Sequence, residues 1–235
     1  MAQAEKNIAV TLSAKDGERK VTLPARRLLV MGWTARDVNA MEAHIRELEE
    51  MGIPRPDRTP IMYRNSVARL TTTDCIEVSG GNTSGEVECV IAMIDGEKWV
   101  GVGSDHTDRE LEKQGITVAK QICDKPIAPV FWPYDEIAGH WDKLILRSQI
   151  DEEGGTVTYQ DGTVNAMRPA EELMSILAAD HDTGGMRDGD VMMGGTLPAK
   201  GGIRPSGRFS FELIDPVLDR RIAHSYAITE LPIAG

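Results

Sequence analysis

Three acidic residues offer the most direct chemistry: Glu86 and Glu88 in Gly85-Glu-Val-Glu-Cys-Val-Ile, and Asp105 in Val-Gly-Val-Gly-Ser-Asp-His-Thr-Asp-Arg-Glu. In an extended strand, residues two apart point to the same face. Glu86 and Glu88 therefore converge, while Val87 and Cys89 face the other way. Convergent carboxylates repel one another unless a cation lies between them. Carboxylate oxygens with room left for water and a chelating substrate suit Mg²⁺, Mn²⁺ or Ca²⁺ better than a softer ion. The same spacing also describes an amphipathic strand that shows two glutamates to solvent.

A second constellation is His44-Ile-Arg-Glu47. Between Thr34 and Met51, Val38, Met41, Ile45 and Leu48 recur at helical spacing; Thr34 with Asp37 suits the start, and Gly52 with Pro54 the end. Residues three apart on such a helix are neighbours, so the Glu47 carboxylate can orient the His44 imidazole and support it as a base. The alternative is a surface histidine in a solvated charge run, because Glu42, Glu49 and Glu50 crowd the same helix.

The elements that must position these groups read mainly as strands. Ile8–Leu12 and Lys20–Leu23 alternate around Asp16-Gly17, the pattern of a hairpin. Strands dominate from Cys75 to Gly103, and short helices fit Arg109–Gln114 and Pro169–Ala179. Strand-like segments around Asp215-Pro216 end the chain. The expected class is α+β and β-rich with few helices, divided into an N-terminal hairpin appendage (1–27) and a catalytic domain (28–235).

Composition excludes several functions. With 235 residues and 41% hydrophobic content the chain can bury a core as one domain. Its apolar runs fall short of a membrane span and no leader-like segment opens it, so a cytoplasmic protein is expected. Cys75, Cys89 and Cys123 lack paired spacing and read as reduced, mostly packed thiols. A net charge of −11, from 26 basic and 37 acidic residues, argues against nucleic acid as a partner. An anionic substrate would have to be drawn by a metal and a few basic side chains.

The segment Asp105-His-Thr-Asp-Arg109-Glu-Leu-Glu112 resembles the Asn-Asp-x-Ser/Thr-x-Arg-Asp-x-Gln signature of the fumarylacetoacetate hydrolase superfamily, whose Glu-x-Glu also lies upstream. Lys120 with Pro126-Ile-Ala-Pro129 is similar to its lysine and Pro-x-Gly-Pro. Tyr159-Gln-Asp-Gly-Thr163-Val-Asn-Ala-Met167 and Gly189-Asp-Val-Met-Met-Gly-Gly-Thr196-Leu-Pro match its later motifs, so the resemblance runs from about residue 28 to 230 in the family's order. It suggests a divergent bacterial-type member. Glu112 stands where the family has glutamine, Arg64 or Asn65 where it has lysine, and Leu197 where it has proline. The glycine-to-histidine gap before His44 is also longer.

The resemblance implies a mixed sheet or β-roll of the fumarylacetoacetase C-terminal type, a homodimer, and Mg²⁺ (or Mn²⁺ or Ca²⁺) on Glu86, Glu88 and Asp105. It implies catalysis by His44, Glu47 and Lys120, with Arg109, Lys120, Gly195 and Thr196 binding a small anionic substrate. The expected reaction is metal-dependent hydrolysis of a carbon–carbon bond in an acylpyruvate-like 2-oxo acid through a metal-bound enolate. The alternatives are a decarboxylase or hydratase/dehydratase of the same superfamily, or a metabolite-binding module without turnover.

Overall fold

The computed structural model describes residues 4–50 and 55–234; the side chains of Ala40, Ala43, His44, Glu47, Leu48 and Glu50 lie outside the described set. The chain begins with the expected hairpin. β1 (Lys6–Ala14) and β2 (Gly17–Ala25) pair antiparallel, Ile8 opposite Leu23 and Val10 opposite Val21. β3 (Arg27–Gly32) follows, and its run Leu28–Met31 is buried throughout, as a strand covered on both faces must be.

Helix α1 (Val38–Glu50) starts later than the spacing of Thr34 suggested. Asp37 Oδ1 accepts from Asn39 N at 2.9 Å and so caps the first turn, whereas Thr34 is buried beneath the end of a distant strand. The expected stop signals, Gly52 and Pro54, lie outside the described residues.

β4 (Ile61–Asn65) pairs with β3; β5 (Leu70–Thr71), β6 (Cys75–Ser79) and β7 (Thr83–Ser84) lead to the long central hairpin of β8 (Val87–Ile94) and β9 (Glu97–Ser104). β10 (Thr107–Asp108) pairs with β7 and runs into α2 (Arg109–Glu112). α2 matches the short helix expected there. The next helix, α3 (Ile116–Ile122), was not expected, because its 7 residues are too few to establish a helical period.

β11 (Lys125–Pro126), β12 (Val130–Pro133) and α4 (Tyr134–Ile137) complete the first half. β13 (Ile145–Glu152), β14 (Gly155–Thr163), α5 (Ala170–Ala179), β15 (Asp190–Thr196), β16 (Arg208–Asp215) and β17 (Arg220–Leu231) form the second.

The strands make a mixed 8-stranded sheet in the order β2-β1-β12-β9-β8-β15-β3-β4 and a 5-stranded sheet in the order β14-β13-β16-β17-β6. The N-terminal hairpin is thus one edge of the large sheet, joined by the parallel pairing of β1 with β12. The alternation of β8 divides its side chains between two cores. Val87, Cys89 and Ile91 pack toward Leu146, Phe209, Phe211 and Tyr226 of the smaller sheet. Val90, Ala92 and Ile94 pack with Leu12, Leu23, Val30 and Phe131. Full burial of each such aliphatic or phenyl side chain contributes roughly 1.5–3 kcal/mol, so the strand that carries the acids is held from both faces. The fold is β-rich α+β, and no helix among the described residues is long and apolar enough to cross a membrane.

Candidate metal centre

The site forms where β8 begins and β9 ends. Glu88 lies opposite Gly103 and Val87 opposite Ser104, so the antiparallel register brings Glu86 beside Asp105 although 18 residues separate Glu86 from Ser104. Asp105 N donates to Glu86 O at 2.9 Å and closes the junction. One ligand oxygen each from Glu86, Glu88 and Asp105 lies within 4.8 Å of the others. Glu88 and Asp105 are buried and Glu86 is nearly so.

Each acid has its own anchor. Arg109 Nη2 donates to Glu86 Oε1 at 2.9 Å, and Lys120 Nζ donates to Glu86 Oε2 at 3.2 Å. Gly195 N donates to Glu88 Oε2 at 2.8 Å. Lys120 also donates to Asp105 Oδ2. Asp105 Oδ1 is ion-paired with Lys125 Nζ at 3.2 Å, with neither side chain exposed.

The electrostatics differ from acid to acid. Burial opposes the charge on Glu86, but the Lys120 ammonium and Arg109 guanidinium outweigh it and hold the carboxyl below its usual range. Burial, and then the neighbouring Asp105 charge, push the Glu88 carboxyl well above its usual range. Burial works against the Lys120 ammonium too, and Asp105, Glu86 and Glu88 reverse it and raise the amine. The protein's own cations thus compensate Glu86 and leave Glu88 short of positive charge. This all-oxygen set of three converging carboxylates fits a hard divalent cation.

The other residues singled out in the sequence fall around this centre in distinct ways. Arg109 is a strut: Nε donates to Ser84 Oγ at 2.7 Å and Nη1 to Glu112 Oε2 at 2.9 Å, besides its bond to Glu86. Thr196 donates its hydroxyl to Val87 O at 2.8 Å and accepts from Gln160 Nε2 at 2.8 Å, leaving it at most a further acceptor role. The Gly195 amide is engaged by Glu88. His44 and Glu47 sit on α1, and their side chains lie outside the described residues.

Two supporting groups, Lys125 and Gln160, escaped the sequence reading. Lys125 is wholly buried and donates to His106 O at 2.6 Å, Cys123 O at 3.1 Å and Lys120 O. Gly103 makes room for this segment, because a Cβ there would lie 2.9 Å from Pro126 O. Gln160 Oε1 accepts from Val87 N at 3.0 Å and Ser148 Oγ at 2.9 Å, tying both sheets to the start of β8. His106, adjacent to Asp105, turns the other way: its ring nitrogens meet Tyr226 Oη and Thr83 Oγ1, each at 2.8 Å. Burial, then Lys125 and Arg109, push its pKa down to about 3, so the ring is neutral. The Pro-x-x-Pro segment beside Lys125 and the Gln-x-Gly motif containing Gln160 were visible in the sequence, but not which atoms they would reach.

Solved structures share this architecture at low identity. 2-Keto-3-deoxy-D-arabinonate dehydratase complexed with magnesium and 2,5-dioxopentanoate superposes with a TM-score of 0.61 at 16% identity, over 93% of this chain and 78% of that one. Fumarylacetoacetate hydrolase from psychrophilic Exiguobacterium antarcticum gives 0.62 at 16% identity, over 92% and 82%. 4-Oxalocrotonate decarboxylase from Pseudomonas putida G7, complexed with calcium and acetate, gives 0.54 at 15% identity, over 86% and 76%. No curated protein matches the sequence. Residues 31–226 match the family described as "Protein of unknown function (DUF2848)". The chain therefore belongs to the DUF2848 family and carries the fold seen in fumarylacetoacetate hydrolase and its dehydratase and decarboxylase counterparts.

Proposed function

We propose that the protein is a divalent-metal-dependent enzyme that hydrolyses a carbon–carbon bond in an acylpyruvate-like 2-oxo acid, with Mg²⁺ as the ion on Glu86, Glu88 and Asp105. The observation that carries this reading is the buried acid set with its undercompensated Glu88. It is supported by a fold in which solved enzymes are complexed with magnesium or calcium and small organic acids. When bound, the ion supplies a Lewis acid for the substrate's carboxylate and 2-oxo oxygens.

The chain's own groups would do the rest. Lys120 spends two N–H groups on Glu86 and Asp105, and its third can orient a substrate carboxylate. Arg109 keeps Glu86 ionised and in place. Gly195 and Thr196 line the approach from β15, and Thr196 Oγ1 can only accept from a substrate. On α1, Glu47 would support His44 as the base that takes a proton from the attacking water at its imidazole nitrogen. α1 itself would exclude bulk water.

The test is a panel of acylpyruvates, oxaloacetate and hydroxydienoates incubated with Mg²⁺ or Mn²⁺ while enol absorbance is followed. Loss of acylpyruvate with appearance of two carboxylic acids is expected, and His44→Ala should slow it about 10²–10⁴-fold without changing Mg²⁺ affinity. Release of CO₂ or of water as the main outcome would reassign the reaction to a lyase. Mg²⁺ binding with no turnover of any member would reduce the protein to a binding module.

A further inference from the structure

Resting on that reading, we infer that Asn65 is a positioning residue for Lys120: its side-chain amide holds α3 against β4, so that the Lys120 ammonium stays between Glu86 and Asp105 with one N–H left for the substrate's carboxylate. Asn65 is 2% exposed, and its Nδ2 donates to Lys120 O at 3.1 Å. The neighbouring pair runs the other way, with Gln121 Nε2 donating to Arg64 O at 2.8 Å. Two consecutive residues of β4 are thus tied to two consecutive residues of α3. Residues two apart on a strand share a face, and Tyr63, buried like Asn65, has its ring centroid 6.0 Å from Lys120 Nζ. β4 therefore meets Lys120 at both ends, with an amide on the carbonyl and an aromatic ring near the ammonium.

This clamp decides where Lys120 sits because α3 has little else to place it. The helix has 7 residues, of which Ala119 and Lys120 are buried, while Val118 and Ile122 are 55% and 39% exposed. A helix so short is not fixed by propensity, and this one lacks an apolar face to bury. Lys120 also lies in the last turn, whose carbonyls have no partner within the helix. Its carbonyl accepts from Asn65 and from Lys125, one donor for each lone pair. Lys125 lies 5 residues further along the same segment, so the bond that ties the Lys120 backbone to the large sheet is the one from Asn65.

Of the two positions that stand for the family's lysine, Arg64 turns to the carbonyls of Arg26 and Leu28, at 3.2 and 3.4 Å, and Asn65 reaches Lys120. A neutral amide supplies the donor there without adding a third ammonium to the two that flank Asp105. Asn65 Oδ1 is buried and meets no donor. An amide with an unmet acceptor is a poor choice for stability alone, because burying an acceptor without a donor is costly.

The experiment titrates oxalate, a planar mimic of a 2-oxo acid enolate, into the full chain at saturating Mg²⁺ by calorimetry, in wild type, Asn65→Leu, Lys120→Met and the double variant. Asn65→Leu removes the donor at similar volume and leaves the Lys120 carbonyl with Lys125, so its melting temperature should be no lower than that of wild type. Its oxalate affinity should fall about 10–100-fold, the usual effect of losing a group that orients one in direct contact. In the Lys120→Met background the same substitution should change oxalate affinity little, because both act through one ammonium. In turnover of an acylpyruvate the loss should fall mainly on KM. Asn65→Ala is read in the same cycle if the leucine variant does not fold. Wild-type oxalate affinity in the Asn65 variant, whatever its melting temperature, or an equal loss with and without the Lys120 side chain, overturns the assignment of Asn65 and leaves the 2-oxo acid reading intact. No oxalate binding by Mg²⁺-loaded wild type overturns that reading and the inference with it.

Discussion

The Lys125 ammonium lies 3.2 Å from Asp105 Oδ1 with neither side chain exposed to solvent, while Lys120 donates to the other oxygen of the same carboxylate. Asp105 is therefore flanked by two lysines. Lys125 is in turn covered by the carbonyls of His106, Lys120 and Cys123, so the loop after β9 and the end of α3 close around one buried charge. Burial lowers the Lys125 amine below its usual range, with the Asp105 charge opposing that shift.

Lys125→Met should consequently cost stability before it costs chemistry. Removing one partner from a buried pair leaves the other charge uncompensated and typically costs about 3–5 kcal/mol. A urea titration of the metal-free protein should show a midpoint lowered accordingly. An unchanged midpoint would mean that Lys125 contributes nothing to the closure of the loop.

Glu88→Gln separates the metal from the fold. Burial and the Asp105 charge both disfavour the Glu88 carboxylate, so its removal should leave the metal-free protein at least as stable as wild type. Second-sphere changes alone cost metal sites about 10–100-fold, so loss of this ligand should weaken Mg²⁺ binding at least about 100-fold. Calorimetry on Glu88→Gln and Asp105→Ala reads this directly, and wild-type affinity in either would move the site elsewhere.

Gly195→Ala should disrupt the end of β15. The residue sits at φ +95°, and a Cβ there would lie 1.8 Å from Thr34 Oγ1. The left-handed backbone alone costs more than about 1 kcal/mol for alanine, and Thr34 must also be displaced. Both a lower melting temperature and weaker Mg²⁺ binding are expected, because the Gly195 amide anchors Glu88. A variant with unchanged melting would show that Thr34 yields freely.

Acid stability should depend on Asp215. Burial works against its charge, and the His140 hydrogen bond at 2.9 Å with the Leu218 and Val217 amides at 3.1 Å outweighs it, holding the carboxyl below its ordinary range. A depressed folded pKa stabilises the protein above the unfolded value of about 3.9 and loses that contribution as pH falls through the folded value. Asp215→Asn should therefore flatten the acid limb of urea midpoints recorded from about pH 7 to pH 3. An identical slope in the variant would place the acid sensitivity in other carboxylates.

The sequence alone determined the strand pattern and the acid constellation, because both depend on short-range periodicity. Alternation identified the N-terminal hairpin and the terminal strands, and the i, i+2 spacing of Glu86 and Glu88 placed two acids on one face. The order of the motifs likewise pointed to the fold that the solved structures share. What only the tertiary structure decided were contacts between segments far apart in the chain. The approach of Asp105 to Glu86 depends on the β8–β9 register, the hold of Gly195 on Glu88 depends on β15 lying beside β8, and the burial of Lys125 depends on a strand of two residues packed against Gly103. A lone lysine, a glutamine or a threonine carries no periodic signature. Whether it binds a substrate or braces a carboxylate is set by which oxygen or amide the fold brings within hydrogen-bond reach, as Thr196 and Arg109 illustrate.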